Sequence, residues 1–200
     1  MEEKIYVSEL AGHCNELMAW QILKEVSETL IQKGLRSIDP YCIEIDDNGH
    51  FSLATTTVNH DDFNAPETIE NQLNESGTTW SLCATVFFVI MGCQVMNGKG
   101  GKGQKASSKL PYMRSEWSEL SELVQQCLQF HPTRRPTLQQ VHDKALQQYQ
   151  RCMDEIRKGP KFKTMGKVSQ TETDLAGQDL AFWPEIMQKP MSNPYKDKSL

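Results

Sequence analysis

His131-Pro132-Thr133-Arg134-Arg135-Pro136-Thr137, followed by Leu138-Gln139-Gln140, sets the frame for the whole chain. Thr137 and Gln140 make a capping box: the Thr hydroxyl and the Gln side chain can each satisfy a backbone N–H left free at a helix start. Behind it Leu138, Val141, Ala145, Tyr149, Cys152 and Ile156 form one apolar stripe. That spacing predicts a final helix running to about Arg157. Two shorter stretches lie upstream. One is Ala65-Pro66-Glu67; the other is Trp80-Ser81-Leu82, which opens an apolar run.

Working outward, Ala19, Leu23, Val26 and Leu30 recur at helical spacing between Asn15 and Lys33, and Gly34 stands where a helix stop belongs. Ile43-Glu44-Ile45 and Phe51-Ser52-Leu53 alternate on either side of Asp46-Asp47-Asn48-Gly49, a strong hairpin signal. The Asp-rich turn is not a calcium loop, because it lacks ligands at alternate positions and the closing Glu. Thr55–Leu73 is polar and irregular, and Trp80–Met91 reads as a central apolar helix. The uncharged run Trp80–Met96 is 17 residues long and includes Ser81, Thr85, Gly92 and Gln94. A membrane span needs roughly 20 predominantly apolar residues, so a buried core helix is expected. Asn97–Ser108 is Gly-, Lys- and Ser-rich and reads as a loop. Trp117, Leu120, Val124 and Cys127 mark another helix. After residue 157 the composition changes. Gly159-Pro160 breaks the helix, Lys158, Lys161, Lys163 and Lys167 make a basic segment, and Leu180–Met187 is an isolated apolar patch. The expected organisation is one domain over residues 1–157 and a basic linker with a tail over 158–200.

An apolar fraction of 38% and a charged fraction of 24% fit a globular protein rather than a disordered one. Met1-Glu2-Glu3-Lys4 lacks the layout of a secretory signal. Cys14, Cys42, Cys83, Cys93, Cys127 and Cys152 show no C-x-x-C pair and no His at zinc spacing, which predicts reduced, mostly core thiols in a cytoplasmic protein. Residues 1–98 carry 15 acidic and 4 basic residues, and no Lys or Arg occurs between Ser37 and Gly98. Such an imbalance arises from ordinary solvated acidic loops, or from an acidic face that recruits a basic partner. The net charge of −5, with no aromatic-interleaved basic stripe, argues against nucleic acid. Gly98-Lys99-Gly100-Gly101-Lys102-Gly103 matches G-x-G-x-x-G, yet it follows an apolar helix and precedes a Ser-rich loop, so it reads as a linker.

In order and spacing, Ala65-Pro66-Glu67, Trp80-Ser81-Leu82 and His131–Thr137 resemble the A-P-E, W-S-L-G and D-P-x-x-R-P-T signatures of a protein kinase C-lobe. The resemblance covers roughly residues 5–157. It implies a mainly α, kinase C-lobe-like helical domain with a small β-hairpin and no N-lobe, since too few residues precede Val7 for a five-stranded lobe. It also implies an ion pair between Glu67 and Arg135 that ties the activation segment to the helical core. The catalytic positions depart from the family. With Pro40 anchored, Ser37 falls where the catalytic Asp belongs and Cys42 where the metal-binding Asn belongs. Thr55-Thr56-Thr57 stands in place of D-F-G. A one-residue shift would move Asp39 toward the base position without restoring the magnesium ligands. Thr78 replaces the Asp that kinases place two residues before the Trp, and Cys83 replaces the Gly of W-S-L-G.

A C-lobe without N-lobe or catalytic loop resembles the KIND module, the kinase non-catalytic C-lobe domain, whose members bind peptide segments of partner proteins. The resemblance implies a non-catalytic pseudokinase scaffold with no catalytic, metal or cofactor residues. Its partner would be a protein, through a basic or amphipathic peptide, with neither nucleic acid nor membrane as ligand. The candidate partner-binding residues are Asp39, Asp46, Asp47, Asp61 and Asp62 in the acidic half, and Phe182, Trp183 and Ile186 in the tail. The tail either docks on its own domain or stays disordered. The alternatives are a degenerate kinase-like protein with residual ATP binding or phosphotransfer, and a subunit completing a kinase-like site on another chain.

Overall fold

The computed structural model describes residues 5–34, 37–55, 60–68, 74–95 and 115–158. All of these fall within the compact unit Met1–Pro160. The architecture is mainly helical with a small antiparallel sheet. The helices are α1 (Glu16–Lys33), α2 (Glu75–Met91), α3 (Ser118–Cys127) and α4 (Leu138–Arg157). The strands are β1 (Ile5–Tyr6), β2 (Ile43–Ile45) and β3 (Phe51–Leu53).

Asn15 caps α1, its side-chain oxygen accepting from the Met18 N–H at 2.9 Å. Gly34 ends the helix at φ 106°, a left-handed conformation that favours glycine, with its N–H returning to the Leu30 carbonyl. Ala19, Leu23, Val26 and Leu30 are buried as their spacing predicts. Met18, Trp20 and Ile22 are buried as well, so the helix is enclosed on more than one side. The reason is tertiary. Arg151 meets Glu16 at 3.7 Å, the Lys24 ammonium lies 4.5 Å from the Tyr149 ring centroid, and His142 Nδ1 lies 3.2 Å from Ser27 Oγ. These pairs run in opposite sequence directions, so α4 lies antiparallel along α1. α2 and β3 pack on α1 as well.

α2 begins five residues before the expected Trp80, at Glu75. Asn74 caps it, accepting from the Gly77 N–H at 2.7 Å, and a polar first turn precedes the apolar run. Twelve of its residues from Thr78 to Ile90 are buried, as befits a helix that is apolar on every side. No helix among the described residues is long and apolar enough to cross a membrane. Glu75 also reaches α4, where its carboxylate accepts from the Leu138 N–H at 2.8 Å. There it joins the capping box, in which Thr137 Oγ1 accepts from Gln140 N–H at 3.2 Å and Gln140 Oε1 accepts from Thr137 N–H at 2.9 Å.

Two expectations need correction in the helices. Trp117 sits in a short 3-10 turn ahead of α3 rather than within it, although it is buried. Ile156 is exposed, not part of the packed stripe. Arg151 already stands opposite Glu16, the first residue of α1, so the last turn of α4 runs past the helix it packs against.

The hairpin forms in the expected register, Ile43 opposite Leu53 and Ile45 opposite Phe51. It is not alone: β1 pairs antiparallel with β2, Ile5 opposite Ile45, and makes a three-stranded sheet. A two-residue strand is too short to leave an alternating pattern in the sequence. In the turn, Asp46 Oδ1 accepts from the N–H groups of Asn48 and His50, each at 2.9 Å, and Gly49 takes φ 77°. Five cysteines are buried, Cys93 is exposed, and all six are free thiols.

Replacing Thr137 by Ala removes the capping hydroxyl, and urea denaturation is expected to show a loss of about 1 kcal/mol. The hydrogen bond from His50 N–H, aided by those from Asn48 and Gly49, holds the Asp46 carboxyl below its ordinary value. A lowered folded value means this stabilisation is present above about pH 4 and fades as pH falls through the folded value. Stability of the Asp46→Asn variant should therefore fall less steeply on acidification than that of the native chain.

Candidate functional site

The loop from Ser37 to Cys42 is held from several directions. Ser81 and Thr85, one turn apart on α2, clamp Ile38: its N–H donates to Ser81 Oγ at 3.1 Å, and its carbonyl accepts from Thr85 Oγ1 at 3.4 Å. The Pro40 carbonyl accepts from Ser8 N–H at 2.9 Å. Ser37 Oγ donates to Asn64 Oδ1. Cys42 and Asp39 close a tight turn, with the Asp39 N–H donating to Cys42 Sγ at 3.3 Å and the Cys42 thiol to the Asp39 carbonyl at 3.1 Å. Thr55 is exposed just beyond β3.

Asp39 is the buried centre of this loop, its side chain 3% exposed. One carboxylate oxygen accepts from the Tyr41 N–H at 2.8 Å. The other accepts from the His60 N–H at 3.2 Å and faces His60 Nδ1 at 3.2 Å. The Tyr41 and His60 rings then stack with centroids 4.5 Å apart and planes tilted by 39°. Asp39 thus joins the 37–42 loop to the segment that leads to Glu67.

Glu67 and Arg135 make the second constellation. The Arg135 side chain is 0% exposed and that of Glu67 25%. The guanidinium grips both Glu67 oxygens, with Nη2 donating to Oε2 at 2.8 Å and Nη1 donating to Oε1. Its remaining donors reach backbone carbonyls: Nη1 to Ser76 at 3.0 Å, Nε to Gln129 at 2.7 Å and Nη2 to Phe130 at 3.2 Å. The Trp80 ring lies 4.7 Å from the guanidinium carbon. A planar fork with five donors suits this site, whereas a lysine could make only part of the set. The motifs name Glu67, Arg135 and Trp80, but nothing in their spacing reveals the three carbonyls.

The acidic candidates separate by environment. Asp39 is buried and its carboxylate is committed to Tyr41 and His60, so it does not face a partner from the surface; this corrects its assignment as a partner-binding residue. Asp46 and Asp47 are exposed in the β2–β3 turn. Asp61 is exposed and accepts from Asn64 Nδ2 at 3.1 Å. Asp62 is partly buried and accepts from Gln94 Nε2 at 3.0 Å. Phe182, Trp183 and Ile186 lie outside the described residues, as does the Gly98–Gly103 stretch. Tyr41, His60 and Asn64 carry no signal in sequence, because their roles depend on contacts across 19 to 27 positions, from Tyr41 to His60 and from Ser37 to Asn64. Among the described residues no group of three His, Cys, Asp or Glu side chains is placed to hold a metal ion.

No protein-family model matches the chain, and no curated protein aligns with it as a relative.

Replacing Glu67 by Gln leaves the Arg135 charge buried beside three carbonyls and is expected to cost about 3 kcal/mol, the lower end for a broken buried pair because Glu67 is partly solvated. Arg135→Met also strands the carbonyls of Ser76, Gln129 and Phe130 and should cost about 3–5 kcal/mol. Chemical denaturation of both variants, with Arg135→Lys failing to restore the native value, checks the bidentate arrangement.

Proposed function

We propose that this chain is a non-catalytic, kinase C-lobe-like module that works by binding another protein. The observation that carries the reading is the state of Asp39. A one-residue register shift makes it the one acid near the position of a catalytic base. Its carboxylate is buried and its oxygens already accept from Tyr41 N–H and from His60. A general base must lie within hydrogen-bond reach of the proton it removes, and this one is enclosed. Ser37 and Cys42, which fall at the other two positions of the loop, are likewise occupied by internal hydrogen bonds to Asn64 and Asp39.

The parts that resemble kinase structural residues support the same reading. Glu67 and Arg135 form the bidentate contact, and Ser81 and Thr85 brace the Ile38 backbone with neutral hydroxyls. Thr78, at the place of the bracing Asp, is buried and its hydroxyl has no hydrogen-bond partner. A loop braced by neutral hydroxyls, with its one carboxylate engaged internally, suits a scaffold better than phosphoryl transfer, which works by positioning and charge stabilisation. A partner with a basic segment is favoured by the exposed carboxylates of Asp46, Asp47 and Asp61.

Two measurements test the reading. A thermal-shift titration with ATP and magnesium or manganese is expected to leave the melting temperature unchanged. A saturable shift that disappears in Asp39→Asn would establish nucleotide binding instead. Affinity capture with the intact chain is expected to recover a protein whose binding weakens as ionic strength rises, since exposed charge pairs are screened by salt. Recovery of no salt-sensitive partner counts against the module.

A further inference from the structure

We infer that Tyr41 and His60 form a platform for an arginine side chain carried by the protein partner, an inference that rests on the partner-binding reading above. Among the described Phe, Tyr and Trp residues only Tyr41 and Phe130 stand exposed. Tyr41 is 48% exposed and the His60 side chain 42%, yet their rings are held against each other at 4.5 Å. The buried carboxylate of Asp39 fixes this geometry, because it binds the Tyr41 backbone with one oxygen and the His60 backbone and ring with the other. The two aromatic faces are therefore ordered before any ligand arrives, which lowers the entropy lost on binding.

Charge selects the occupant. From Ser37 to Gly98 the sequence has no Lys or Arg, and exposed Asp61 follows His60 directly. Among the described residues no ion pair joins Asp61 to a lysine or arginine. Phe130 is the opposite case, because it adjoins His131 and Arg134. Elsewhere the chain fills its aromatic faces with its own cations, Lys24 on Tyr149 and Arg135 on Trp80. No lysine or arginine of the described residues occupies the Tyr41 ring. An ordered aromatic surface in an acidic setting is complementary to a guanidinium, which is planar, weakly hydrated and able to stack while donating to a carboxylate. A lysine would gain the charge but not the stacking, and an aliphatic side chain neither.

The test uses the full chain and two acetylated, amidated hexapeptides of alternating glycine and arginine, one of them with citrulline in place of every arginine. Citrulline keeps the planar shape and removes the charge. The arginine peptide is expected to bind, to move the Tyr41 ring signals in NMR, and to bind more tightly than the citrulline peptide. Tyr41→Phe keeps the ring face and should hold Kd within about twofold, whereas Tyr41→Leu keeps apolar bulk and should weaken binding by about threefold or more. Tyr41 is exposed, so both variants should match the native melting temperature. Equal binding of the two peptides, no binding of the arginine peptide, or an unchanged Kd in Tyr41→Leu overturns the platform. If Tyr41→Leu is without effect while Asp47→Asn weakens binding, the platform falls but the partner-binding reading stands. That reading fails separately, when affinity capture recovers no salt-sensitive partner.

Discussion

A guanidinium taken out of water must find both a counter-charge and acceptors for its other donors, or it destabilises the fold that buried it. Arg135 meets that constraint by drawing three separate pieces of chain to one point. Glu67 supplies the charge, Ser76 a carbonyl from the first turn of α2, Gln129 and Phe130 carbonyls from the connection between α3 and α4, and Trp80 an aromatic face. α4 starts three residues later, at Leu138, where Glu75 from α2 completes its cap. The long antiparallel contact between α4 and α1 therefore begins from an end that is fixed by charge and hydrogen bonds before apolar packing takes over.

The second anchored point is built differently. Among the described residues no lysine or arginine pairs with the buried Asp39, which is held by two backbone N–H groups and the His60 ring. Around it the loop is braced by hydroxyl and thiol groups of Ser81, Thr85 and Cys42. Such an arrangement fixes backbone geometry and leaves both oxygens of the buried carboxylate hydrogen-bonded. It also has a consequence at the surface, because the residues it orders, Tyr41 and His60, present their rings outward. One buried carboxylate thereby links the internal bracing of the loop to the surface proposed for a partner.

Much of the helical framework was legible in the sequence. The period of Ala19, Leu23, Val26 and Leu30, the Gly34 stop and the Thr137–Gln140 box each act within one or two turns, so local rules describe them. The Asn-Gly hairpin was legible for the same reason. What failed were features whose cause lies across the molecule. β1 is only two residues long and exists because β2 offers an edge; Ile156 is exposed because α4 runs past Glu16, the first residue of α1; and the first turn of α2 is polar because Asn74 and Glu75 cap helices rather than fill a core.

The candidate site divides along the same line. The sequence by itself determined the acidic first half, the absence of Lys and Arg from Ser37 to Gly98, and the residue types at Ser37, Asp39, Cys42, Glu67 and Arg135. Only the tertiary structure decided what those residues do. Asp39 and Asp61 are the same side chain in composition, yet one is buried with its oxygens occupied and the other is exposed. Tyr41 and His60 carry no motif and became a pair because one carboxylate binds both. Charge and periodicity are properties of the chain written in order. Burial, and the partner a buried polar group must find, depend on which distant segments packing brings together.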